Sequence, residues 1–204
     1  MILYEFSIKP ISPGGIIKDG HKVVCMTYRP QISIVGARSL GDEALLFIKE
    51  LSTRLVDEGY RIMTGGLGSL QKAAHSGAKL STSSTDGDTI ALLPGFDPEP
   101  AKGQADIIIP TGLDIGRNIL IANGDAVIAI GGGSGTLSEI ALAWQMNRPI
   151  ISVGYGGWSE RLAGETIDQR FPDASIHVCI TIDEVINTLA FTLNQQNTRH
   201  SGIA

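Results

Sequence analysis

The chain has 204 residues, of which 43% are hydrophobic and 18% charged. That is enough apolar material for one domain with a short addition, and it excludes intrinsic disorder. The formal net charge of −5 argues against a protein that coats duplex nucleic acid or an anionic membrane, since it offers no excess of cations to displace counterions from phosphates.

The 25 glycines are about 12% of the chain against a usual share near 7%, and without a Gly-X-Y period they signal tight turns and backbone-lined binding loops. Cys25 and Cys179 are far apart and form no Cys-x-x-Cys, which fits a reduced cytosolic protein rather than a disulfide framework. Residues 1–10 carry Glu5 and no basic run ahead of an apolar one, so no secretory signal is expected. No apolar stretch reaches the ~20 residues of a bilayer span. The expectation is a cytoplasmic protein with neither a membrane nor a nucleic-acid partner.

In chain order, residues 1–30 are broken by Pro10, Pro13, Gly14 and Gly15 and are read as an arm, with His21–Tyr28 as a candidate extra edge strand. From residue 31 short β-branched runs alternate with helical patterns. Strands are expected at Ile32–Gly36, Tyr60–Thr64, Thr89–Leu93, Asp106–Ile109, Asp125–Ile130, Pro149–Val153 and Ile176–Ile180. Most are apolar at consecutive positions, as in a parallel sheet covered on both faces. Helices are expected at Gly41–Glu58, Ser69–Leu80, Gly116–Asn123, Thr136–Met146 and Ile182–Leu193. In the first, Ala44, Leu45, Ile48, Leu51 and Leu55 share one face.

This alternation predicts a three-layer, doubly wound α/β domain over residues 31–193 with a mostly parallel sheet, followed by a fraying polar tail at 194–204. Ser81–Asp88 reads as a surface loop, and the Pro/Gly-punctuated Pro94–Gln104 as a lid.

Ligands of such sheets sit outside the carboxyl ends of the strands. Four loops fall there: Gly36-Ala37-Arg38, the Gly65-Gly66-Leu67-Gly68 turn, Thr111–Arg117, and Gly131-Gly132-Gly133-Ser134-Gly135-Thr136. The last follows a buried strand and opens a helix, where unpaired N–H groups and the helix dipole favour an anion, with phosphate the obvious guest. No Lys-Ser/Thr follows the glycines, so the loop is not a Walker A motif. Gly-x-Gly-x-x-Gly also fails, because Thr136 holds its last position, and a standard NAD-dependent dehydrogenase is disfavoured.

Glu139 has two readings. Thr136-x-x-Glu139 fits a capping box with Thr136 as N-cap, the reading that spacing alone favours. Alternatively, Glu139 is a chemical group beside the anion site, its pKa lowered by the dipole, acting as a base or charge stabiliser. Arg117 opens an apolar helix against its dipole, so it needs a partner: a ligand phosphate, Asp114 or Glu139. His21, His75, His177 and His200 show no metal-ligand spacing and are expected in surface or partly packed roles, with no metal site. No nucleophilic triad is visible.

Arg117-Asn118, the strand Asp125–Ile130 and the run Gly131–Glu139 together resemble the Lonely Guy superfamily of Rossmann-like proteins, which carry Arg-Lys followed by Pro-Gly-Gly-x-Gly-Thr-x-x-Glu. The resemblance extends from about Ile32 to Leu189, and Thr64–Gly68 looks like the family's earlier glycine loop. Enzymes of that superfamily hydrolyse cytokinin riboside 5′-monophosphates. The resemblance implies catalytic roles for Arg117 and Glu139, should the chain be a hydrolase, and a phosphate loop at Gly132, Gly133, Gly135 and Thr136. Here Asn118 replaces the Lys, and Ile130 or Gly131 stands where the Pro would be. The pattern is closer to a sister branch that includes the molybdenum cofactor carrier proteins, which bind a phosphate-bearing pterin.

The expectation is therefore a binder of a phosphorylated pterin or nucleotide-like ligand, with the molybdenum cofactor as cargo. The alternative is a phosphoribohydrolase releasing base and ribose 5-phosphate. The ligand-binding candidates are Gly36, Ala37, Arg38, Gly65, Gly66, Leu67, Gly68, Arg117, Asn118, Gly132, Gly133, Ser134, Gly135 and Thr136. On helix 136–146, Leu137, Ile140, Ala141 and Trp144 form one face while Leu142, Ala143 and Met146 lie off it. A helix so apolar all round predicts a homodimer or higher even oligomer, as the resemblance also implies, or else cover from the 1–30 arm.

Overall fold

Runs of apolar residues at consecutive positions become strands with neighbours on both faces, and in the computed structural model seven of them join one sheet. The structure describes residues 28–195, together with the backbone of 17–18 and 21–22. The strands are β1 (Gln31–Gly36), β2 (Arg61–Thr64), β3 (Thr89–Leu93), β4 (Ile107–Pro110), β5 (Ala126–Ile130), β6 (Ile150–Val153) and β7 (His177–Cys179). They lie in the order β4-β3-β2-β1-β5-β6-β7, every neighbouring pair parallel. Each is within about two residues of its expected place. His21–Lys22 pairs antiparallel with Ile17–Lys18 in a separate ribbon. The remainder of the expected edge strand up to residue 27 lies outside the described residues, as does the tail beyond Gln195.

Among the described residues six α-helices cover the sheet: α1 (Asp42–Asp57), α2 (Ser69–Ala78), α3 (Asn118–Ala122), α4 (Ser134–Gln145), α5 (Gly157–Arg161) and α6 (Ile182–Gln195). The alternation of side chains along each strand divides the core into two layers. Ile32, Ile34, Ile62, Ile128, Ile130 and Ile151 pack with Ile48, Leu51 and Leu55 of α1, Leu70 and Ala74 of α2, and Val185 and Leu189 of α6. On the opposite face Val35, Met63, Leu92, Val127 and Ala129 pack with Ile121 of α3 and with Ile140, Ala143 and Trp144 of α4. Helices on both faces of an open parallel sheet make the domain doubly wound and Rossmann-like, as the sequence predicts.

Two expected elements change. The helix at 116–123 divides into a 3₁₀ turn, Asp114–Arg117, and the short α3, with Asp114 at a φ of 49°. The capping box at Thr136 is corrected: α4 begins at Ser134 after an extended Gly133, and no side chain caps it, so Thr136 already lies inside the first turn. The reason is non-local. The five-residue α5, which the sequence pattern does not announce, anchors the preceding loop: Trp158 N–H donates to Gly132 O (3.0 Å), Ser159 N–H to Gly131 O (3.2 Å), and Gly131 N–H to Ser159 Oγ (2.7 Å). With Gly131 and Gly132 pinned, the chain turns into the helix two residues before Thr136.

Candidate functional site

Chain direction diverges at β1 and β5: from β1 the sheet grows towards β4, and from β5 towards β7. Loops leaving the carboxyl ends of these two neighbours separate and leave a crevice. The structure holds a cleft of about 390 Å³ there, bordered by Gly36–Arg38, Gly65, Leu67, Pro94, Asp114–Ile115, Arg117–Asn118, Gly133–Thr136 and Glu139.

The four glycines of the 131–135 loop divide between fold and site. Gly131 and Gly132 have φ values of 64° and 102°, and a Cβ on Gly132 would fall 2.2 Å from Thr136 Oγ1. Only glycine satisfies that turn. Gly133 and Gly135 border the cleft, and a Cβ on either meets nothing within 4 Å. The first intrahelical bond of α4 runs from Leu137 N–H to Gly133 O. The N–H groups of Ser134, Gly135 and Thr136 therefore have no helical partner and no side-chain cap, the arrangement that favours an anion.

Arg117 reaches the cleft from the junction of the 3₁₀ turn with α3. Its Nε donates to Leu92 O (3.0 Å), its Nη2 to Gly65 O (3.1 Å) and its Nη1 to Asn118 Oδ1 (3.0 Å). Asn118 is itself fixed, donating from Nδ2 to Ser138 Oγ on α4. All three acceptors are neutral. Neither Asp114 nor Glu139, the internal partners the sequence suggests, lies within ion-pairing distance. Of five guanidinium N–H groups, two stay unused among the described residues. Gly65 packs beneath the guanidinium, where a Cβ would sit 3.2 Å from Nη2.

Glu139 is 8% exposed, borders the same cleft and has no hydrogen bond within the described residues. Burial pushes its pKa up to about 7, against the opposing pull of Arg117. This reverses the expectation of a carboxylate acidified by the helix dipole: desolvation of a group one full turn into α4 outweighs a dipole that acts within the first turn. Near neutrality Glu139 is able to hold or release a proton.

Twelve residues singled out from the sequence meet at the cleft: Gly36, Ala37, Arg38, Gly65, Leu67, Arg117, Asn118, Gly133, Ser134, Gly135, Thr136 and Glu139. Gly66, Gly68 and Gly132 do not border it. A Cβ on Gly66 would strike Leu93, and one on Gly68 the backbone of Arg38, so these glycines serve loop packing. Of the segment expected as a lid, Pro94 alone borders the cleft. Of the side chains at the cleft, sequence reading gave no role to Leu70 or Gln71 and named Ile115 only as part of the Thr111–Arg117 loop. It also placed His75 at the surface or partly packed. His75 is 1% exposed, faces Thr64 Oγ1 through Nε2 (3.2 Å), and is pulled down to about 4 by burial. Among the described residues no cluster of three or more His, Cys, Asp or Glu is placed to hold a metal ion, and no helix is long and apolar enough to cross a membrane.

A doubly wound parallel sheet with a glycine-rich helix start at its switch point defines a Rossmann-like class of protein. Residues 29–186 match the model of the SLOG cluster4 family, and the chain belongs to that family. An uncharacterized protein of Archaeoglobus fulgidus is 33% identical over 124 residues, 60% of this chain and 79% of the relative. Among solved structures, the Moco carrier protein of Chlamydomonas reinhardtii is 27% identical with a TM-score of 0.67, covering 82% of this chain and 99% of the carrier. The molybdenum cofactor binding protein of Rippkaea orientalis is 26% identical with a TM-score of 0.67, covering 81% and 98%. DNA processing protein A of Helicobacter pylori, described with single-stranded DNA, shares the fold at 20% identity and a TM-score of 0.61, covering 80% and 81%. The fold therefore lends no support to the exclusion of nucleic acid argued from net charge.

The Glu139 carboxyl sets a pH test. Its folded pKa of about 7 lies above the ordinary carboxyl value of about 4.3, so between these pH values the folded state holds a proton that the unfolded state has released, and stability falls as pH rises through that window. Glu139→Gln lacks this slope. Urea titrations from pH 4.5 to 8 are expected to show the variant gaining about 2–3 kcal/mol on the wild type, nearly all of it below pH 7.5; parallel curves would refute the raised pKa.

Proposed function

We propose that the cleft binds a phosphorylated planar ligand, a pterin or a nucleotide-like molecule, with its phosphate on the N–H groups of Ser134, Gly135 and Thr136. The observation that carries this reading is that the uncapped first turn of α4 and Arg117, two of whose donors stay unused among the described residues, border one cleft. Its volume suits a small molecule. Likeness to the molybdenum cofactor proteins favours a carrier with that cofactor as cargo. Binding requires only the anion cradle, a slot and the fixed cation.

Calorimetric titration with nucleoside monophosphates and a phosphorylated pterin tests the cradle. Gly133→Asp and Gly135→Asp each place a carboxylate against the incoming phosphate, in positions with room for a side chain. Each is expected to abolish the binding heat, and heat retained in both overturns the assignment.

One observation favours a second reading, phosphoribohydrolase activity. Glu139 has no capping task and titrates near neutrality beside Arg117. Protonated, it assists a departing base; ionised, it stabilises an oxocarbenium-like ribose. Incubation with adenosine and isopentenyladenosine monophosphates, followed by chromatography, separates the readings. Free base lost in both Arg117→Ala and Glu139→Ala assigns a hydrolase, whereas no release, with a fluorescent oxidised pterin retained through purification, assigns a carrier.

The assembly reading shifts with the structure. Leu142 and Met146 of α4 pack onto the Trp144 layer, and the apolar surface left uncovered beside α4 includes Ile119 and Leu120 of α3, 48% and 42% exposed. In our reading a second copy covers α3 and the outer side of α4 in a homodimer. Light scattering is expected to give a multiple of the 21.6 kDa chain mass; the single mass alone would favour the 1–30 arm as cover.

A further inference from the structure

Helix α2 turns one polar side chain into the cleft. Gln71, in its first turn, is 2% exposed and borders the cleft, and its Oε1 is buried with no hydrogen-bond partner among the described residues. Buried polar groups are almost always hydrogen-bonded, so an unpartnered carboxamide beside a cleft calls for an explanation. Packing supplies none, because a methionine would fill similar space without an orphaned polar atom. A ligand supplies one.

The surroundings indicate which part of a ligand. Leu67, Leu70, Pro94 and Ile115 give the cleft an apolar flank of the kind that takes a flat ring, whereas the anion donors belong to α4 and Arg117. Each apolar flank of a ligand slot gains specificity from a few placed polar groups. Four charged side chains also line the cleft: Arg38 and Asp114 are exposed, and Arg117 and Glu139 flank the start of α4 where the anion donors lie. Gln71 is held below α2's surface and is already desolvated before any ligand arrives. A hydrogen bond formed there replaces no water on the protein side, which makes it strongly selective between a ligand that has the matching donor and one that lacks it.

We infer that Gln71 reads the ligand's ring, its Oε1 accepting a hydrogen bond from a ring N–H or exocyclic amine, so that the cleft selects amino-bearing nitrogen heterocycles. The inference rests on the reading of the cleft as the site of a phosphorylated planar ligand. It adds the ring chemistry that the phosphate cradle leaves open.

Three probes separate the two readings: ribose 5-phosphate, adenosine monophosphate and purine riboside monophosphate, the last lacking only the exocyclic amine. Titrated into wild-type protein and Gln71→Met, they are expected to show the wild type preferring the amine-bearing nucleotide by about tenfold or more, and the variant by less than about twofold. Ribose 5-phosphate is expected to bind both proteins equally. Gln71→Met is also expected to melt no lower than the wild type, since it removes a buried group without a partner, and Gln71→Leu serves as the second variant should it fail to fold. An unchanged nucleotide ratio in the variants overturns the role of Gln71 while leaving the phosphate site standing. An equal loss for ribose 5-phosphate places Gln71 at the sugar phosphate and overturns it too. Wild-type protein that binds none of the three overturns the cleft reading and this inference together.

Discussion

The geometry of the site depends on three hydrogen bonds between the Gly131–Gly132 backbone and the start of α5. They fix both peptide groups of a left-handed turn that has no side chains of its own to hold it. Ser159 is central: its Oγ accepts from Gly131, its hydroxyl faces Val153 O and Gly156 O, and its own carbonyl accepts from Ser152 Oγ on β6. The strand next to β5 thereby sets the direction in which α4 leaves the sheet. Without that support the free N–H groups of Ser134–Thr136 would have no defined aim.

On the other wall, the means are different and the effect is similar. Arg117 is bound by carbonyl and carboxamide oxygens, not by a carboxylate, so its position is fixed while its charge is left uncancelled by contact. Asn118 ties that guanidinium to Ser138, and Ser138 donates to Gly135 O. Cation and helix start are thus mechanically linked through neutral groups. A carboxylate in place of Asn118 would hold Arg117 equally well and would spend its charge internally.

The strands were legible because parallel strands buried on both faces must be apolar at nearly every position, and Thr89–Leu93 and Ala126–Ile130 are. The cleft loops followed from glycine density beside those strands. What could not be read locally was the start of α4. Thr136-x-x-Glu139 satisfies the spacing of a capping box, yet the choice between that box and an earlier start is made by α5, a five-residue element from farther along the chain with too short a pattern to show periodicity. The fate of Glu139 changed with it. Gln71 was hidden for a related reason: on an amphipathic helix a glutamine reads as part of the solvent face, and its burial is a property of the packed fold rather than of the local pattern.

The division of labour among the 131–135 glycines has an evolutionary side. Gly131 and Gly132 are bound to the fold by their backbone angles and close neighbours, so change there costs stability. Gly133 and Gly135 face open space, so a new side chain there alters what the helix start will accept without disturbing the sheet. If the proposed anion site holds, substitution at those two positions would let one scaffold exchange one guest for another in single steps that selection for folding does not oppose.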